Sequence, residues 1–207
     1  MTPYECIFFD LDGVVADWTG GTIRLIDPEG DPESIKEKIT HYDAITDYYQ
    51  KKFNVTRETA DKIIWDAIEA AGEQFWANLP ILMDGYHAAR EAIDYANNHK
   101  TGFMFLTTAA NHPTSAHGKV LFLNDLFGDL KTHSNRAVPR CYSFTALKHY
   151  CSAPNRLLVD DKEENCIKWE KYGGTALLWA QPWNAENRNG IKRGRLETLQ
   201  AMLDERS

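Results

Sequence analysis

The stretch Phe8-Phe9-Asp10-Leu11-Asp12-Gly13-Val14 constrains the fold of this chain more than any other. Cys6 to Phe9 is a short apolar run bounded by polar residues, which reads as a strand covered on both faces. Side chains alternate along an extended chain, so Asp10 and Asp12 point the same way at the strand's end while Leu11 turns toward packing. Gly13 then permits a sharp exit.

Two other patterns share the D-x-D-G spelling. A calcium loop also begins with alternating acids, but it needs a third oxygen ligand and a glycine at its fifth and sixth positions, where this chain has Val14 and Val15. A surface turn seldom follows directly from four apolar residues. Two further strand ends favour a functional acid pair. Arg156-Leu157-Leu158-Val159-Asp160-Asp161 is another apolar run ending in acids, and Phe103-Met104-Phe105-Leu106-Thr107-Thr108 is one ending in hydroxyls. In an open parallel sheet, ligands bind beyond the carboxyl ends of the strands, so the three ends are expected to converge on one crevice. Carboxylate and carbonyl oxygens of this kind suit magnesium. A helix N-cap would account for one acid of the Asp160-Asp161 pair, but not for both.

Between the first two strands the chain reads as helical. Ile35, Ile39, Tyr42, Tyr49 and Phe53 recur at helical intervals after an Asp31-Pro32 start signal. Ala60, Ile63, Ile64, Ala67, Ile68 and Ala71 mark one face of another helix, ended by Gly72. Further on, a helix near Gly85 to His99, the strand at Phe103 and a helix near Ser115 to Leu126 precede the strand at Leu157. A helix from Lys162 to Tyr172, a strand at Ala176 and a last helix near Gly190 to Leu203 complete an alternating α/β order.

Taken together, these motifs resemble those of the haloacid dehalogenase-like (HAD) phosphohydrolases. Asp10 to Gly13 matches the family's first motif, Thr107 its second, Lys148 its third, and Asp160 with Asp161 its fourth, in the family's order. Asp12-Gly13-Val14-Val15-Ala16-Asp17, Phe75-Trp76-Ala77-Asn78-Leu79-Pro80 with Asp84-Gly85, and the closing Gln181-Pro182-Trp183-Asn184 are similar to the 5'-nucleotidase branch, the deoxyribonucleotidase-like phosphatases. The resemblance implies a three-layer Rossmann-like parallel sheet with a small helical cap inserted after the first strand. Residues 1–17 and 83–207 would form the core, and 18–82 the cap. It further implies that Asp10 is a nucleophile, that Asp12 is an acid and base, and that Thr107 and Lys148 bind the phosphoryl group. Magnesium would be held by Asp10, the Asp12 backbone carbonyl and Asp160, with Asp161 near or in the outer shell. Thr108 is the alternative to Thr107, and Lys131 or Arg140 to Lys148.

The implied substrate is a small phosphorylated molecule, foremost a nucleoside monophosphate. Trp18, Phe75 and Trp76 flank the two hinges, where they can stack a base or simply pack cap on core. Thr108 and Arg140 complete the candidate substrate-binding set. The alternatives are polynucleotide ends, sugar phosphates, or a binding module that kept the fold and lost catalysis. With a net charge of −7 over 207 residues, the chain is not built to hold polyanion backbones, which require many Lys and Arg contacts. From Leu130 through Val159 there is no acid, while Lys131, Arg136, Arg140, Lys148 and Arg156 are basic, so this stretch is either a solvated loop or a positive lip for an anionic substrate. No run is long enough to span a bilayer, and the start lacks a signal-peptide pattern, which gives a cytoplasmic reading. Cys6, Cys141, Cys151 and Cys166 show no metal spacing and are expected as free thiols.

Overall fold

Strand β1 (Cys6–Phe9) lies at the centre of a parallel sheet, between β2 (Gly102–Thr107) and β4 (Arg156–Asp160). In this computed structural model, which describes residues 2–41, 44–110, 112–132, 137–138, 141–186 and 189–207, β3 (Tyr142–Phe144), β5 (Thr175–Trp179) and β6 (Arg193–Gly194) complete the order β3-β2-β1-β4-β5-β6. Every pairing is parallel.

The alternation of apolar residues explains the layers. Ile7, Phe9, Phe105, Leu157 and Val159 enter one core, shared with α6 (Met83–His99), α7 (Pro113–Phe127) and α9 (Leu196–Asp204). Phe8, Leu106, Leu158 and Leu178 enter a second core on the other face, closed by α8 (Glu163–Lys171). There the Phe8 ring meets Trp169 edge-on at 5.2 Å. Fully burying a side chain of this size contributes about 1.5–3 kcal/mol, so both faces of β1 anchor it. The result is the three-layer α/β architecture expected from the sequence.

Among the described residues, five helices fill the insertion after β1: α1 (Trp18–Ile26), α2 (Pro32–Lys36), α3 (Ala44–Phe53), α4 (Arg57–Ala71) and α5 (Glu73–Ala77). Thr56 caps α4 by accepting from Thr59 N at 3.1 Å, and Gly72, at φ 63°, ends it. Of the periodic series, Ile35 falls in α2, Tyr49 and Phe53 in α3, and Ile39 in the link after α2, while Tyr42 lies outside the described residues. The chain enters and leaves the insertion through paired segments. Asp17 N donates to Pro80 O at 2.8 Å and Leu82 N to Val15 O at 2.8 Å. Asp17 also caps α1 through Gly20 N and pairs with Lys36 at 2.8 Å, tying the entry point to α2. On the exit side α5 rests on α7 at Gly118, where a Cβ would stand 2.5 Å from both Glu73 O and Trp76 Cβ.

Two elements differ from the sequence reading. The last helix begins at Leu196 instead of near Gly190, because Arg193 and Gly194 pair with Leu178 and Trp179 as the edge strand β6. Within the acid-free segment, Tyr142–Phe144 forms β3, a strand too short to leave a period. All four cysteines are free. Among the described residues no helix is long and apolar enough to cross a membrane.

Candidate active site

The register of the three central strands sets the site. Phe9 is level with Phe105 on one side and Val159 on the other, so the chain turns out of the sheet at Asp10, Thr107 and Asp160 along one edge. Asp10 N donates to Val159 O at 2.8 Å, which fixes the exit of β1 against β4. Beyond it, the Leu11 carbonyl accepts from Val15 N at 2.9 Å and Ala16 N at 2.8 Å, closing a tight loop. Gly13 makes that loop possible. Its φ is 73°, and a Cβ on it would collide with the Asp161 carboxylate.

Carboxylate oxygens of Asp10, Asp160 and Asp161 lie within 4.8 Å of one another, and all three residues are buried. Lys148 Nζ, itself buried, donates to Asp10 Oδ2 at 2.7 Å and Asp160 Oδ2 at 2.6 Å. Lys162 N at 2.9 Å and Asn165 Nδ2 at 3.1 to 3.2 Å also donate to Asp160, and Trp183 Nε1 donates to Asp161 Oδ2 at 2.8 Å. With all three carboxylates ionised, the one ammonium leaves two negative charges uncompensated, the charge that one divalent cation supplies. Crowded carboxylate oxygens are the hard donor set that magnesium takes, so the residues fit that ion. Electrostatics agree with the crowding. Burial pushes the Asp160 carboxyl up to about 6, with Lys148 opposing and Asp10 adding to the rise. Burial raises Asp161 well above the usual carboxylate range, reinforced by Asp160 and Asp10. Burial alone would lower the Lys148 ammonium, but Asp10 and Asp160 outweigh it and hold Lys148 charged.

Asp12 stands apart from this group. Its Oδ2 accepts from Lys119 Nζ, and its Oδ1 is buried without a hydrogen-bond partner. Burial raises its carboxyl above the usual range, Lys119 opposes the rise and Asp10 adds to it. Lys119 also donates to Thr107 Oγ1 at 3.2 Å and Thr108 O at 2.6 Å, and its ammonium lies 5.3 Å from the centre of the Trp76 ring. The sequence reading missed this lysine. The signal was available: Ser115, Lys119, Phe122 and Leu123 fall on one face of α7, so a lysine occupies a core position.

The remaining candidates divide. A cavity of about 300 Å³ opens beside Asp12 and Asp161, lined also by Trp18, Trp65, Trp76 and Thr108. Trp18 and Trp65 approach each other at 6.2 Å between ring centres. Phe75 is buried and does not line the cavity. Trp76 does, and its indole N–H is buried without a partner. Thr108 Oγ1 donates to Thr145 O at 3.1 Å. Of the basic stretch, Lys148 is buried among the carboxylates, and Arg156 pairs with Glu5 at 2.7 Å at the opposite end of β4. Lys131 is exposed, while Arg136 and Arg140 lie outside the described residues.

No family model and no curated protein matches the chain. Solved structures do. A HAD-family hydrolase from Deinococcus radiodurans R1, with bound phosphate and sodium, is 16% identical, with a TM-score of 0.59 over 100% of this chain and 97% of that one. A HAD-superfamily hydrolase of subfamily IA from Geobacter sulfurreducens is 16% identical, with a TM-score of 0.56 over 99% of this chain and 97% of that one. A Bacillus subtilis protein described as a HAD-hydrolase, bound to magnesium, is 14% identical, with a TM-score of 0.56 over 98% and 100% of the two chains. At these identities the likeness is one of fold: the chain has the HAD-like α/β core.

Proposed function

We propose that the protein is a magnesium-dependent phosphatase that hydrolyses phosphate monoesters through a phosphoaspartate on Asp10, with 5'-phosphates of (deoxy)nucleosides as its substrates. The observation that carries this reading is the separation of two neighbouring carboxylates into different environments. Asp10 joins Asp160, Asp161 and Lys148, whereas Asp12 is held by Lys119. Two carboxylates in unlike surroundings can take unlike jobs.

A phosphate monoester dianion repels a carboxylate nucleophile. At about 4 Å and an effective dielectric near 20, each pair of unit charges costs roughly 4 kcal/mol. Magnesium, held by Asp10, Asp160 and Asp161 with the Asp12 carbonyl, would offset this charge and polarise the phosphoryl oxygens. Lys148 keeps the Asp10 carboxylate oriented by its 2.7 Å contact and adds a positive charge beside the reacting centre. Asp10 attacks phosphorus and the bond to the ester oxygen breaks. Asp12 gives its proton to that oxygen, then takes one from the water that attacks the phosphoaspartate, which restores Asp10 and releases phosphate. Thr107, at the end of β2, donates its hydroxyl to a phosphoryl oxygen.

The insertion, residues 18–82, acts as a cap that supplies the organic half of the site. Trp18, Trp65 and Trp76 line a cavity beside Asp12, a setting suited to a flat ring on the leaving group. The test is phosphate release from ribo- and deoxyribonucleoside 5'- and 3'-monophosphates, sugar phosphates and an aryl phosphate, with magnesium or with a chelator. Magnesium-dependent release, fastest from the nucleoside 5'-phosphates, is expected. Release from none of them overturns the enzyme reading. A preference for sugar phosphates overturns the nucleotide assignment alone.

A further inference from the structure

Among the described residues, Lys119 is the one buried cation of the site that the phosphatase chemistry above leaves without a part. It is 1% exposed and comes from the second turn of α7, near Thr107 in sequence but far from Asp12. An ammonium has three protons and no acceptor. All three are used, on Asp12 Oδ2, Thr107 Oγ1 and Thr108 O. Trp76 covers the same group from α5.

We infer that Lys119 is a positioning residue that sets two reacting groups at once: it clamps Asp12 so that Oδ1 is the oxygen that handles the proton, and it polarises Thr107 toward the phosphoryl group. The first half follows from the unequal oxygens. Oδ2 is tied to Lys119 and Oδ1 has no partner, so Oδ1 alone is free to deliver a proton to the leaving oxygen or take one from water. The second half follows from the donor count. Because lysine can only donate, Thr107 Oγ1 must accept from it, and the threonine hydrogen is left to point elsewhere. The Thr108 carbonyl gives the ammonium a backbone anchor, so the clamp is referenced to the strand end rather than to mobile side chains. Gly118, next in the chain, lets α7 approach α5 closely enough to hold Lys119 under Trp76.

This role rests on the phosphatase reading, and the two are separable by experiment. In K119M the Asp12 carboxylate loses its tether and its proton is delivered poorly. An alkyl ester, whose alkoxide leaves badly, depends on that proton; an aryl ester such as p-nitrophenyl phosphate does not. The kcat/KM of K119M, which reads the steps up to phosphoaspartate formation and not its shared hydrolysis, is expected to fall by about 10²-fold or more on an alkyl phosphate and by less than about tenfold on the aryl phosphate. KM for both is expected to rise through Thr107. Equal losses of kcat/KM on the two esters, or no loss on either, overturn the proposal, since damage to the fold would not distinguish leaving groups. If K119M does not fold, K119L carries the same comparison, because it likewise removes every N–H donor from the clamp. A crystal structure of the variant supplies a readout that needs no turnover. Asp12 is expected in a different rotamer, and an unchanged carboxylate overturns the clamp. Should the native protein cleave no phosphate ester, the phosphatase reading falls and that structure alone decides whether Lys119 positions Asp12.

Discussion

Gly13 packs directly against the Asp161 carboxylate: a Cβ at position 13 would stand 2.2 Å from Asp161 Oδ2. The loop that follows the first strand and the acid pair that follows the fourth are therefore one structural unit. Gln181 completes it by donating to the Gly13 carbonyl at 2.6 Å, while Trp183 holds Asp161 from the same turn.

Gly13→Ala tests that unit. Alanine at φ 73° is strained, and its methyl must displace Asp161. A residue forced into this region costs of order 1–3 kcal/mol, so the melting temperature is expected to drop by several degrees. Magnesium should recover less of the loss than it adds to the native protein, because Asp161 is pushed from the carboxylate group. Thermal denaturation with and without the metal measures both effects. An unchanged magnesium increment would separate Gly13 from the metal site.

Opposite outcomes are expected at the two ends of the Lys148–Asp10 contact. Asp10→Asn removes one ionisable carboxyl from a group in which three carboxyls share one ammonium. It should abolish turnover while leaving stability in chelator at or above the native value. Lys148→Met removes the one ammonium among the described residues that pairs with Asp10 and Asp160, and breaking such a buried pair costs about 3–5 kcal/mol. Denaturant unfolding of both variants in chelator gives the comparison. A Lys148→Met protein as stable as Asp10→Asn would mean that the carboxylates are not repelling one another.

The raised carboxyls predict how stability varies with pH. Asp160 is lifted to about 6 in the folded protein by burial, above the usual value near 3.8. Between those values the folded state holds more protons than the unfolded state, so stability falls as pH rises through about 6. Magnesium favours the ionised carboxylates and should flatten or reverse that slope. Melting temperature measured across this range, with chelator and with magnesium, checks the sign. A chelated protein that gains stability from pH 5 to pH 7 would contradict it. Metal binding should also release protons, which calorimetry in buffers of different ionisation enthalpy detects.

The strand ends were legible because each couples an apolar run, buried on both faces, to an abrupt polar residue. Asp10, Thr107 and Asp160 stand at such changes. Lys119 was not, since a lysine is ordinarily read as solvated and only its position on the apolar face of α7 betrays it. Trp183 was quoted within a closing motif, but nothing local says that its indole N–H reaches Asp161; that contact depends on β5 and β4 being neighbours. The short strands β3 and β6 carry too few residues for any period, and pairing alone defines them.

The cavity makes the last prediction, on the charge of the leaving group. Asp61, exposed on α4, lines it together with Asp12 and Asp161. Lys119 is the one cation among the described lining residues, and Asp12 already engages it. A substrate with a second phosphate therefore brings two more negative charges toward an unpaired carboxylate. The native protein should prefer a nucleoside 5'-monophosphate to the corresponding 3',5'-bisphosphate, and Asp61→Asn should narrow that preference by about tenfold, or roughly 1.4 kcal/mol. Because Asp61 is exposed, raising the ionic strength should narrow it in the native protein as well. Ratios of kcat/KM for the two substrates, in low and high salt, measure the effect. A ratio indifferent to both the substitution and the salt would leave Asp61 no part in selecting the substrate.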